Sequence, residues 1–136
     1  MTSNNPKRFV ILHHRVGSGF GRTDQDHFDW MFETGQTLIT FATPMIEDMH
    51  SNFQITCQLL PDHRIVYLDF EGSIPDRGEL RDRGSVTRIA SGSFEEITNS
   101  DDLFSAELLF SPTNKNTGSV EFKKCDQQWV LRYKSN

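Results

Sequence analysis

The chain has 136 residues and carries 14 Lys and Arg against 19 Asp and Glu, a formal net charge of −5 at pH 7. That length suits one domain with a real core and leaves no room for two. The acidic balance excludes non-specific coating of a phosphate backbone, though not a local basic groove. Residues 1–7 are polar, and no window reaches the apolar length of a signal peptide or a membrane span. The expectation is a cytoplasmic protein with a loose leader over residues 1–7 and a folded domain over 8–136.

Hydrophobic residues make up 35% of the chain and include 11 Phe, with no long Leu/Ala-rich stretch, so β structure is favoured. A period close to two marks strands, in chain order, at residues 8–14, 27–33, 37–42, 53–60, 64–70, 85–89, 93–97, 106–110, 119–124 and 128–133. Turn residues separate them: Gly35, Pro44, Pro61-Asp62, Gly72, Pro75, Gly84, Gly92, Pro112 and Gly118. So many short strands predict an all-β fold, a small closed or nearly closed β-barrel, with minor helical turns at 44–51 and 99–105. Gly17, Gly19 and Gly21 make residues 16–26 a long polar surface loop. Cys57 and Cys125 lie far apart in no metal-ligand spacing and read as reduced thiols. The arginine-dense stretch 64–88, with Arg77, Arg81 and Arg83, reads as a solvated loop, a local basic groove being the alternative.

The segment His27-Phe28-Asp29-Trp30-Met31-Phe32-Glu33 carries the chemistry. As a strand it turns Phe28, Trp30 and Phe32 to one face and His27, Asp29, Met31 and Glu33 to the other. An imidazole and a carboxylate two residues apart on a strand have β-carbons about 7 Å apart, close enough to share one metal ion. A polar solvent face accounts for the same pattern. The preceding apolar run Phe9-Val10-Ile11-Leu12 leads into His13-His14, so one of the two imidazoles falls on the polar side. If the strands pair, His14 or His13 joins His27 and Asp29 in a two-His, one-carboxylate set suited to Mn²⁺, Zn²⁺ or Fe²⁺. A second cluster, over residues 61–72, has His63, Ile65 and Tyr67 sharing one strand face. His and Tyr there could donate to phosphate oxygens, or simply be a turn histidine and an edge tyrosine.

These residues resemble a known family. Phe9-Val10-Ile11-x-x-His14 followed by His27-Phe28-Asp29-x-x-x-Glu33 is similar to the opening of the 3′-phosphoesterase domain of bacterial end-joining DNA ligase D. Asp62-His63-x-x-x-Tyr67-x-Asp69-Phe70-Glu71-Gly72-x-Ile74-Pro75 resembles that family's central run, and Gly84-Ser85-Val86 and Trp129-Val130-Leu131-Arg132-Tyr133 its later strands. The likeness spans roughly residues 8–133.

The resemblance implies a β-barrel with a metal site in its cavity, and removal of a 3′-ribonucleotide or 3′-phosphate from nucleic-acid ends, Mn²⁺ being the favoured cofactor. It implies His14, His27 and Asp29 as metal ligands, and His63 and Tyr67 as the catalytic pair at the reacting phosphate. It also implies end-joining repair proteins as partners. The family's phosphate-gripping cations are missing. Met31 stands where the family has Arg, Thr43-Pro44-Met45-Ile46 replaces its Val-Pro-Lys-Gly, and residues 53–60 contain no basic residue. Each lost charge-assisted hydrogen bond is worth roughly 1.5–3 kcal/mol. Arg15, Arg22 and Arg64 are the candidate substitutes. The expected function is therefore metal-dependent 3′-phosphoesterase action on a nucleic-acid 3′ end or a smaller phosphoester. The alternative is a non-catalytic barrel that binds a ligand or nucleic acid. Ligase activity is excluded, because there is no nucleotidyl-transferase lysine motif and too little chain.

Overall fold

The structure, a computed structural model, describes residues 6–19, 25–79, 81–112 and 116–136. It is all-β. The strands are β1 (Lys7–Arg15), β2 (His27–Thr34), β3 (Thr37–Thr43), β4 (Phe53–Arg64), β5 (Gly72–Ser73), β6 (Ser85–Ser100), β7 (Leu103–Phe110), β8 (Thr117–Cys125) and β9 (Gln128–Ser135). Antiparallel pairing runs β1-β2-β3-β4-β9-β8-β7-β6, and β6 returns to β1 to close a barrel-like ring of eight strands. The two-residue β5 adds to β6 outside the ring. No helix among the described residues is long and apolar enough to cross a membrane.

Strand alternation sends one face of every ring strand inward. Phe9 and Ile11, Phe28, Trp30 and Phe32, Phe41, Phe94, Phe104, Phe122 and Leu131 fill the interior. Phe41 stacks on Phe122 with ring centroids 4.0 Å apart, and Phe32 meets Phe94 and Phe122 edge-on. The buried Trp30 indole N–H donates to Thr43 Oγ1 at 3.0 Å, so this core leaves that donor satisfied. The high Phe content is thus spent on filling the ring.

A second apolar layer lies on the outer face. Val10 and Leu12 of β1, Met31 of β2, Leu38 of β3 and Val86 of β6 pack against Tyr67, Leu68 and Ile74. The chain from Ile65 onward covers this face, and the Asp69-Phe70-Glu71-Gly72 run fastens it. Asp69 pairs with Arg8 of β1 at 2.6 Å, Glu71 accepts from the Arg88 backbone of β6 at 2.9 Å, and Phe70 meets Tyr67 edge-on. Gly72 adopts φ +124°, a conformation L side chains rarely take, as it joins β6 opposite Val86.

Residues 64–70 do not form the expected strand. Strand β4 runs on through Pro61 to Arg64, with a register shift against β3 that accommodates the proline, and a 3₁₀ turn follows at Ile65–Leu68. Tyr67 and Leu68 are both buried while Ile65 and Val66 are exposed. Two adjacent side chains cannot face the same side of a strand, so a turn is required. The two strands expected at 85–89 and 93–97 are one, β6, with Gly92 at its bend between Phe9 and Phe110. A Cβ at Gly92 would run into the Leu109 carbonyl, so this glycine marks close backbone approach and not a turn. Neither expected helical turn forms: residues 44–51 are irregular, and 99–105 holds the β6–β7 hairpin, in which Ser100 pairs with Leu103. Strand β1 begins at Lys7, inside the expected leader, of which residues 1–5 lie outside the described ones. Cys57 and Cys125 are both free, and burial pushes the Cys57 thiol up to about 12.

Candidate metal centre and its cleft

The site forms where β1 and β2 pair at their loop ends. His14 lies opposite His27, and Leu12 opposite Asp29, so His14 is the diagonal neighbour of Asp29 on the outer face. His13 points the other way and meets Phe28 edge-on, so of the two imidazoles His14 is the one beside His27 and Asp29. All three side chains are buried, at 3% exposure for His14, 6% for His27 and 3% for Asp29. Their candidate ligand atoms all lie within 4.8 Å of one another. The cluster sits on the outside of the ring, not in its interior. That corrects the expected cavity site: the aromatic core leaves only the outer layer for it.

Each imidazole stands between two acceptors. His14 Nε2 donates to the Arg83 carbonyl at 3.1 Å and turns Nδ1 to Asp29 Oδ2 at 3.6 Å. His27 Nδ1 donates to the Gln25 carbonyl at 3.0 Å and turns Nε2 to Asp29 Oδ1 at 3.2 Å. A neutral ring has one N–H and can serve only one of its two acceptors. A cation that takes the inner nitrogens and the carboxylate together would satisfy the set with neutral rings. Backbone carbonyls behind metal-binding imidazoles fix ring tautomer and orientation in the same way. The 3.2 Å contact is poorly aligned, and the buried Asp29 Oδ1 has no hydrogen-bond partner.

Burial pushes the Asp29 carboxyl up, but the two imidazoles more than offset it and bring it down to about 2, from 3.8. A carboxyl lowered in the folded state contributes stability above its unfolded value and loses it as pH falls through the folded one. The protein should therefore lose stability between about pH 4 and pH 2, by about 2 kcal/mol from this one group. Denaturant unfolding followed across that range checks it: the loss should shrink in Asp29→Asn, and an unchanged loss contradicts it.

The cluster opens into a cleft of about 770 Å³ between the outer face and the segment that follows β4. His14, Asp29 and Met31 line it, as do His63, Arg64 and Tyr67. Although the expected common strand face is absent, strand end and turn still bring His63 and Tyr67 together, their rings 6.0 Å apart. The His63 Nδ1–H donates to the Pro61 carbonyl at 2.9 Å, which leaves Nε2 as the nitrogen for a ligand. Arg15 does not line the cleft and reaches Thr87 Oγ1 at 3.5 Å instead. Arg22 lies outside the described residues. Met31 is 1% exposed, held in the outer apolar layer.

Arg77 and Arg83 line the cleft together with Arg64, and so do Asp62 and Asp76. Of the two readings of the arginine-dense stretch, a solvated loop and a local basic groove, this placement favours the groove, whose only signal in the sequence is that density. The chain matches no model of a known protein family and no curated protein.

Proposed function

We propose that this protein is a metal-dependent phosphoesterase acting on nucleic-acid 3′ ends, removing a 3′-ribonucleotide or 3′-phosphate, with Mn²⁺ as its ion. The observation that carries the reading is the convergence of His14, His27 and Asp29 beside a cleft that Arg64, Arg77 and Arg83 also line. An imidazole pair with one carboxylate suits Mn²⁺ or Zn²⁺. Such an ion would polarise a phosphoryl oxygen and lower the pKa of a bound water.

The chain's own residues do the rest. Arg64, Arg77 and Arg83 offer cations for the phosphate, replacing those missing at positions 31 and 45. His63 presents Nε2 to an oxygen on which charge develops, with its ring held through Nδ1. Tyr67, packed edge-on between His63 and Phe70, walls the site against water. End-joining repair proteins are the proposed setting.

The test is a primer-template ending in one 3′-ribonucleotide or a 3′-phosphate, incubated with the protein and Mn²⁺. Release of the terminal group that stops on chelation is the expected result. A 3′ end that is bound but never cleaved would favour the non-catalytic barrel.

A further inference from the structure

Two loops leave the end of the β1–β6 ladder, where Arg15 pairs with Ser85, and they remain joined beyond it. The join centres on Asp82. Its carbonyl accepts from the Gly19 N–H at 3.0 Å, and its carboxylate accepts from the Ser18 N–H at 3.0 Å and the Ser18 hydroxyl at 2.8 Å. Those donors hold the Asp82 carboxyl below its ordinary value. Asp82 adopts φ +49°, and a Cβ at Gly17 would run into its carbonyl. A Cβ at Gly84 would likewise strike the Arg15 carbonyl. Glycines on both loops are therefore explained by one requirement, close approach of the two backbones.

Held between Asp82 and Gly84 is Arg83, whose carbonyl accepts from His14 Nε2 at 3.1 Å. On the other flank the Gly84 carbonyl accepts from the Ile74 N–H at 2.8 Å. Asp82 itself is solvent-exposed and does not line the cleft. We propose that Asp82 is a positioning residue: by clasping the 17–19 loop it aims the Arg83 carbonyl at His14 and so orients that imidazole toward Asp29. The effect on His14 stands on geometry alone, whereas an effect on metal affinity rests on the phosphoesterase reading.

Asp82→Gly is the informative variant, because glycine accepts the same backbone angle while the carboxylate is lost. Asp82→Asn, which keeps an acceptor oxygen and tolerates that angle, is the conservative rescue. The readout is the His14 Hε2 proton, seen by NMR in metal-free protein, alongside the Mn²⁺ dissociation constant. In Asp82→Gly this proton should exchange with water at least about tenfold faster through local opening, while the His27 Hδ1 proton is unchanged. Mn²⁺ binding should weaken roughly 10–100-fold, as for loss of an outer-shell partner, and Asp82→Asn should restore both. If wild type binds no Mn²⁺ yet the His14 proton responds as described, the positioning role stands and the metal reading falls. An unchanged His14 proton in Asp82→Gly overturns the proposal, whatever happens to affinity.

Discussion

Replacing Asp29 by alanine is expected to weaken Mn²⁺ binding beyond the roughly 10–100-fold that follows loss of an outer-shell partner, since it removes a ligand outright. Asp29 is the only anion of the cluster, and both imidazoles aim their inner nitrogens at it. Without it, two neutral donors remain, and the charge that favours a dication is gone. The metal-free fold should also suffer, because the buried carboxylate's contacts to both imidazoles are lost. Asp29→Asn separates the two effects: it keeps the shape and the acceptor but not the charge. Calorimetry and thermal unfolding with and without Mn²⁺ should show stabilisation of wild type, in proportion to ligand over dissociation constant, and little in either variant. Equal stabilisation of all three would remove Asp29 from the site.

His63→Ala should lower the rate of 3′-end cleavage roughly 100–1000-fold, the usual cost of losing one donor to a developing charge. It should do so without changing Mn²⁺ affinity, because His63 belongs to β4 and the triad to β1 and β2. That split distinguishes a residue at the phosphate from one that supports the metal. Tyr67→Phe should act much more weakly, since the phenyl ring keeps its packing against His63 and Phe70. Single-turnover cleavage with saturating Mn²⁺ measures the chemical step. Unchanged cleavage in His63→Ala would assign the reaction to other residues.

The strand 27–33 was legible because its alternation has physical content. Bulky aromatics on one face and His27, Asp29 and Met31 on the other can only straddle a sheet, and the ring separates them in that way. The choice of His14 over His13 followed from the same period once pairing with β2 was known. The bulk of Phe28, Trp30 and Phe32 marks their face as the core, and the ring buries it. That the polar face lies outside the ring was not legible, because alternation does not say where a cavity forms. The turn at Ile65–Leu68 was missed for a related reason: its apolar run fits a strand locally, and only the outer layer requires Tyr67 and Leu68 to point the same way. Arg77 and Arg83 reach the cleft through a pinned loop, with Arg83 donating to the Pro75 carbonyl at 2.9 Å. No local periodicity encodes that contact. The Asp69-Phe70-Glu71-Gly72 run, the most distinctive string in the sequence, proved to be the fastening of the outer layer to β1 and β6.

The most direct measurement is a calorimetric Mn²⁺ titration of metal-free protein. Saturable binding of one ion per chain is expected, at the point where His14, His27 and Asp29 converge. Binding should disappear in Asp29→Asn. No saturable binding at millimolar Mn²⁺, or binding that survives unchanged in Asp29→Asn, would contradict the assignment of His14, His27 and Asp29 as the metal centre.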